Sequence, residues 1–187
     1  QYLNWLSIRD GLQPVYQEGP NGWTAVMPLR SGYRLPTEAE WVWAARYYGE
    51  PESLVFPWSS DQTEVSPPDR SGNYADVSAV DTLPTTLFTY NDEFITTAPV
   101  ASFEPNAAGL HDIGGNVAEW VHDYYSLDFE SPSDVVEDPT GPGSGAYRVV
   151  RGSGWRSATL TDLRIASRDY SNGGRDDLGF RIARNLD

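Results

Sequence analysis

The chain of 187 residues is long enough to bury the core of one domain. Its formal net charge of −14 argues against nucleic acid as a partner, because phosphate contacts need clustered Lys and Arg. No apolar run approaches the roughly 18 residues that span a bilayer, so no transmembrane segment is expected. The absence of cysteine excludes disulfides, thiolate zinc sites and cysteine nucleophiles.

The start of the chain predicts a helix followed by a hairpin. Residues 2–10 carry an apolar face and are expected to form a short helix that Gly11 ends. Val15-Tyr16 and Trp23–Met27 are typical of short strands, and the turn at 19–22 lies between them.

The clearest helix of the sequence is expected to begin at Thr37. Thr37 and Glu40 match the Thr-x-x-Glu capping box, in which each side chain bonds the backbone of the other residue. The apolar residues that follow share one helix face, and they are Trp41, Ala44, Ala45 and Tyr48. Gly49 is expected to end the helix.

The rest of the chain predicts loops and three closing strands. Residues 50–100 are proline-rich, and loops this long inside a compact domain are usually functional or held in place by a ligand. Strands are predicted at 148–151, 163–168 and 179–183, after a surface excursion at 126–145 that is rich in Asp, Pro and Gly. These elements favour an α+β fold with much irregular structure.

Four motifs carry a family resemblance. They are Tyr33–Trp41, Gly109–Trp120, Arg151–Trp155 and Leu178–Arg181. Together and in this order they resemble the formylglycine-generating enzyme, or sulfatase-modifying factor, superfamily. The resemblance implies a single domain over 1–187, with a loop-rich variant of the C-type lectin fold.

The resemblance also implies a reaction that this chain lacks the ligands to perform. Enzymes of the family oxidise a substrate cysteine with copper held by two thiolates. The first thiolate maps onto Ser157, and the second falls near Leu160 to Asp162. Cu(I) needs soft sulfur ligands, so no copper site is expected.

Some superfamily members are non-haem iron enzymes, whose iron needs a cluster of histidines, with two histidines and one carboxylate as the general minimum. The chain has only His111 and His122, and a hydrogen-bonding or packing role is expected for His111. An iron site would need further ligands from a preceding segment or a partner, and none is expected.

Calcium is the metal that the resemblance favours. Ca²⁺ takes about 6–8 oxygen ligands and mixes carboxylates, amides and backbone carbonyls. One carried-over site uses the side chains of Asn73 and Asp92 with the carbonyls of Tyr74 and Phe94. This site falls in the long loop region that most needs to be held in place.

A second carried-over calcium site uses the side chains of Asp112 and Glu119 with the carbonyls of Gly115 and Val117. The glycine turn before Val117 would let carbonyls point inward while the two carboxylates converge. From the residues alone, the two acids are expected instead to cap turns and pair with arginines, and it is the family resemblance that favours calcium here.

A ligand groove is implied near the closing strands. Its expected binding residues are Arg156, Ser157, Tyr170, Asn172 and Arg175, which suit a peptide or a small polar ligand. In the alternative interpretation, the neighbouring tryptophan and arginine side chains of this region are core and salt-bridge residues.

The first helix carries a further expectation. Tyr2, Leu3 and Leu6 form an apolar face that, in relatives, packs under a stretch of opening strands. We expect another polypeptide, or a preceding N-terminal segment, to cover this face, because exposed apolar patches favour association.

These observations favour a non-catalytic, calcium-stabilised binding or assembly domain in a periplasmic or extracellular setting, where calcium is plentiful. One rival is an oxidoreductase-like enzyme of different chemistry that uses the same groove and is completed by another chain. A third hypothesis is a ligand-binding receptor of C-type-lectin type. A concave site with convergent polar groups favours a ligand-binding function, whereas a broad interface favours assembly.

Overall fold

The structure is a computed structural model that describes residues 1–19, 22–47, 52–127 and 135–185. The chain divides into two compact units, residues 1–36 with 180–187, and residues 37–179. The mixture of three short helices and six strands confirms the α+β prediction for the described part of the chain. None of the helices among these residues is long and apolar enough to cross a membrane.

The smaller unit opens with α1 at Tyr2–Arg9, as predicted. Leu3 and Leu6 are buried among the described residues, whereas Tyr2 is 55% exposed. The described residues therefore already bury the two leucines, and the expectation that another polypeptide or segment covers this face stays a prediction.

The predicted hairpin is confirmed with shifted ends. Strand β1 covers Tyr16–Gly19 and β2 covers Gly22–Ala25, and they pair antiparallel with Tyr16 opposite Ala25. Residue Val15 precedes β1 and is fully buried. Residues 20 and 21 of the predicted turn lie outside the described residues.

The larger unit begins with α2 at Glu38–Arg46. Thr37 is its N-cap, and both bonds of the predicted capping box are present: Glu40 N donates to Thr37 Oγ1, and Thr37 N donates to Glu40 Oε2. Such a cap contributes about 1 kcal/mol to helix stability. The predicted helix end at Gly49 lies outside the described residues.

A four-stranded sheet forms the centre of the larger unit. Its strands are β3 (Ala118–Tyr124), β4 (Arg148–Arg151), β5 (Arg168–Ser171) and β6 (Leu178–Phe180), and their order is β5-β4-β3-β6. The pairs β3/β4 and β4/β5 are antiparallel. The sequence analysis therefore predicts β4 correctly but predicts no strand at β3.

Two of the predicted closing strands are displaced. The strand predicted at 163–168 is wrong, because Leu160–Leu163 forms a short helix, α3, and the strand begins only at Arg168. Thr159 caps α3 by accepting a bond from Asp162 N, so the local polar cap prevails over the apolar pattern. The strand predicted at 179–183 begins and ends earlier, at Leu178–Phe180.

Two apolar clusters fill the larger unit. The first joins α2 to the sheet and contains Trp41, Ala45, Ile113, Val121, Val149 and Ile165. The second lies under the long loop region and contains Phe56, Tyr74, Tyr90 and Leu163. The predicted loop region of 50–100 thus folds over its own aromatic core, with one short 3₁₀ helix at Val77–Ala79.

Candidate functional site

In the first candidate calcium set, the buried Asp92 carboxylate bonds the backbone of two other members of the set. Asp92 Oδ2 accepts a bond from Tyr74 N and its Oδ1 accepts one from Phe94 N, both at 2.8 Å. The neighbouring Asn73 is fully buried, and its Oδ1 has no hydrogen-bond partner among the described residues. Burial raises the pKa of Asp92 to about 6, although these two backbone bonds oppose the rise.

A second buried carboxylate supports this loop. Asp76 is fully buried and its Oδ2 accepts a bond from Asp92 N, while its Oδ1 accepts bonds from the backbone and hydroxyl of Ser78. Sequence reasoning misses Asp76, although Asp-x-Ser is a recognisable capping pattern for a short helical turn. Two carboxylates close together in a buried loop favour a positive charge between or beside them.

The second candidate calcium set lies on the tight turn before β3. Asp112 has a φ of 58°, its Oδ2 accepts a bond from Ala101 N, and its Oδ1 is buried without a hydrogen-bond partner among the described residues. The Gly115 carbonyl accepts a bond from Val117 N at 2.9 Å. Glu119 is buried on β3, where its Oε2 accepts the indole N–H of Trp41 at 2.8 Å.

Both candidate sets offer oxygen donors of the kind that calcium prefers. Each set contains a buried side-chain oxygen, Asn73 Oδ1 or Asp112 Oδ1, that lacks a donor among the described residues. A buried oxygen of this kind costs about 1–3 kcal/mol unless something satisfies it. No three His, Asp or Glu side chains cluster as a metal site within the described ranges, so either site would depend on amide and carbonyl oxygens as well as carboxylates.

A groove of about 490 Å³ opens beside the closing strands. It carries four carboxylates and two guanidinium groups, from Asp162, Asp169, Asp176, Asp177, Arg156 and Arg175. Both arginines are engaged, because Arg156 contacts Asp176 at 2.5 Å and Arg175 contacts Asp169 at 2.7 Å and Asp177 at 3.0 Å. The Arg156 guanidinium holds the pKa of Asp176 below its usual range.

The structure places the predicted ligand-binding residues in two different places. Arg156, Ser157 and Arg175 line the groove. Tyr170 does not line it, but packs against Tyr125 and Tyr147 with ring centroids 4.5 and 5.0 Å apart. Asn172 is exposed on the turn after β5 and does not line the groove either.

Ser157 lies where the resemblance places the first family thiolate, and its polar atoms hold the turn together. Its Oγ accepts a bond from Gly154 N, its backbone N–H donates to Gly154 O at 2.8 Å, and its carbonyl accepts from Ala75 N. A hydroxyl in this position is a hard oxygen ligand, and the region of the second thiolate is helix α3. The donor set therefore does not fit Cu(I).

The other charged side chains near the groove are structural. Arg168 binds Glu38 through two contacts of 2.7 and 3.0 Å, and Arg151 lies 3.7 Å from the same carboxylate. Trp155 is buried and donates its indole N–H to Asp176 O at 3.3 Å. The core interpretation of this tryptophan and of the Arg168 salt bridge therefore agrees with their positions.

The two histidines make different hydrogen bonds. The Nδ1 of His111 lies 2.8 Å from Phe103 O, which agrees with the expected hydrogen-bonding role. His122 is buried on β3, and its carbonyl accepts a bond from Arg148.

The family assignment follows from comparison with known sequences. The sequence model of the sulfatase-modifying factor enzyme 1-like domain matches residues 1–186. This chain belongs to the sulfatase-modifying factor family. The resemblance drawn from the four motifs is thereby confirmed.

Individual relatives of this family member differ in overall length. The chain is 36% identical over 170 residues to the formylglycine-generating enzyme of Streptomyces coelicolor, covering 84% of this chain and 48% of the enzyme. It is 37% identical over 158 residues to the serine/threonine-protein kinase pkn1 of Chlamydia pneumoniae, covering 83% of this chain and 21% of the kinase. The chain therefore spans about half of one relative and about a fifth of the other.

Solved structures share the fold. Variable protein 1 of Treponema denticola superimposes with a TM-score of 0.65 at 27% identity, covering 98% of this chain and 66% of that protein. The fold prediction, a variant of the kind found in formylglycine-generating enzymes, is confirmed by these matches.

Proposed function

We propose that this family member is a non-catalytic, calcium-stabilised binding or assembly domain. The observation that carries the proposal is the pair of buried oxygens, Asn73 Oδ1 and Asp112 Oδ1, that lack donors among the described residues. Calcium would satisfy both, with the carbonyls and carboxylates of the same loops as further ligands. The hydroxyl of Ser157 and the absence of any thiol support the non-catalytic part.

Calorimetric titration of chelator-treated protein with Ca²⁺ tests the proposal. The expected result is two ions per chain, with Asn73→Ala and Asp112→Ala each removing one. Asp81→Ala is a matched control, because Asp81 is exposed and belongs to neither set. Absence of binding heat, or a stoichiometry that neither variant changes, would contradict the calcium role.

The charges of the groove define the class of ligand that would bind there. Four carboxylates outnumber two guanidinium groups, and both guanidinium groups already contact carboxylates. An anion would have to displace these carboxylates, whereas a cationic group would add to them. We therefore expect a peptide or small polar ligand that carries a positive charge, which supports a ligand-binding receptor as the second candidate function.

Two short peptides of equal length, one with lysines and one with glutamates, test this preference. Binding of the lysine peptide should weaken in Asp162→Asn. The Asp162 carboxylate is partly exposed, lines the groove and forms no ion pair with either groove arginine. Preferential binding of the glutamate peptide would contradict the charge argument.

The proposed assembly surface lies on the smaller unit. Tyr2 and Trp5 on α1 are each 55% exposed, and Tyr2 contacts Phe180, which is 47% exposed. We expect another polypeptide or an N-terminal segment to cover these rings, because contiguous exposed aromatic surface favours association. If Tyr2→Ser and Trp5→Ser leave self-association and partner capture by the full-length protein unchanged, this surface has no such role.

A periplasmic or extracellular setting follows from the calcium proposal, since free calcium is abundant there. Cell fractionation of the native organism would test it. Recovery of the protein exclusively in the cytosolic fraction would contradict the proposed setting.

A further inference from the structure

The turn after β5 presents an asparagine followed by two glycines. Asn172 is exposed, and Gly173 and Gly174 follow it before Arg175. A side-chain carbon added at either glycine would meet nothing within 4 Å, and neither glycine has a positive φ. The turn is therefore open to solvent, and its glycines are not required by left-handed backbone geometry.

We propose that Asn172 is a site of spontaneous deamidation, which would convert a neutral side chain into a carboxylate three residues before the groove residue Arg175. In this reaction the deprotonated backbone nitrogen of Gly173 attacks Cγ of Asn172. A new N–Cγ bond forms, the Cγ–Nδ2 bond breaks and ammonia leaves. Water then opens the cyclic imide to aspartate or isoaspartate.

The local geometry favours this attack. Because Gly173 has no Cβ, no side chain shields its backbone nitrogen from the asparagine side chain. Ser171 Oγ accepts the Gly173 N–H at 3.3 Å, a long bond that offers little protection, and donates to Gly173 O at 2.8 Å. Asn172 and Gly173 are both exposed, so solvent hydroxide can reach the Gly173 N–H.

The product adds a negative charge three residues before Arg175, which lines the groove. Arg175 lies three positions after Asn172 and is 34% exposed in its ion pairs with Asp169 and Asp177. A new carboxylate on this turn increases the negative charge near an already acidic groove. Deamidation would thus shift ligand preference further toward cations, and this consequence rests on the proposed groove function, whereas the modification itself does not.

Peptide mapping by mass spectrometry after incubation at neutral and mildly alkaline pH tests the proposal. Gly173→Ala should slow conversion at Asn172 severalfold, because it adds a side chain next to the attacking nitrogen. The added carbon enters open space, so the fold is undisturbed. Gly174→Ala is the matched control, since it enters equally open space but preserves the Asn-Gly pair.

The expected result is conversion in the wild type and in Gly174→Ala that accelerates with pH and yields both aspartate and isoaspartate. Converted protein should co-elute with Asn172→Asp on anion exchange. Unmodified Asn172 after prolonged alkaline incubation would overturn the proposal, as would equal conversion in Gly173→Ala. The outcome is independent of ligand binding, so it can fail without affecting the proposed function.

Discussion

The backbone N–H of Asn116 donates to the carbonyl of Asn73 at 2.9 Å. This bond joins the turn that carries Asp112 to the loop that carries Asp92, so the two candidate calcium sets lie on one connected framework. Asn116 also exchanges two side-chain bonds with the backbone of Ala98, and its carbonyl accepts Trp155 N. Its φ of 68° places it in the left-handed region, which asparagine tolerates better than most residues.

Replacing Asn116 should destabilise the larger unit substantially. Asn116→Ala removes both bonds to buried Ala98 and strains the backbone, so we expect a loss of about 2–4 kcal/mol. Asn116→Gly relieves the backbone strain but not the lost bonds, so it should cost less. Urea unfolding measures both, and a loss below about 0.5 kcal/mol in the alanine variant would contradict this account.

Asp123 should make stability depend on pH. It is buried on β3 and accepts a 2.6 Å bond from Glu38 N, and burial raises its pKa to about 6. Since the folded pKa exceeds the ordinary value, folding favours the protonated acid. Its contribution is most favourable below about pH 4 and is lost as pH rises through about 6.

Asp123→Asn removes this charge and can keep an acceptor for Glu38 N. We therefore expect the variant to be more stable than the wild type at pH 7, on the order of 1 kcal/mol. The difference should shrink as pH falls toward 4, whereas exposed Asp81→Asn should show no such trend. A variant less stable than the wild type at pH 7 would show that the ionised carboxylate is favourable instead.

The purified chain should not convert a cysteine peptide to formylglycine when copper is added. The reason is the hydroxyl of Ser157 at the first thiolate position and the absence of cysteine from the sequence. Ser157→Cys alone should also be inactive, because no second thiolate is restored. Mass spectrometry of the peptide provides the readout, and robust copper-dependent conversion by the wild type would refute the prediction.

Local signals in the sequence predict α1 and α2. The capping box of Thr37 and Glu40 fixes the start of α2, and the apolar face of residues 2–10 gives α1. The same local logic, applied to the Thr159 and Asp162 cap, would also have predicted α3 in place of a strand. The strand prediction at 163–168 is wrong because the buried residues of 163–165 resemble the apolar pattern of a strand.

Long-range pairing could not be predicted from one sequence. Tyr170 lies opposite Val149 on the adjacent strand and packs into a tyrosine cluster, so this register places it outside the groove. Asp76 and Asn116 gain their roles from contacts 16 and 18 positions away in sequence. The pairing of Arg156 with Asp176 likewise brings together residues of different loops.

Thermal unfolding with and without calcium tests the central claim most directly. An ion that binds only the folded state stabilises it by about 2.7 kcal/mol at a hundredfold excess over its Kd, which corresponds to a Tm rise of about 5–10 °C for a chain of this size. We predict this rise for the wild type, its reversal by chelator, and its reduction in an Asp112→Ala, Glu119→Ala variant. An unchanged Tm in calcium and in chelator would contradict the account.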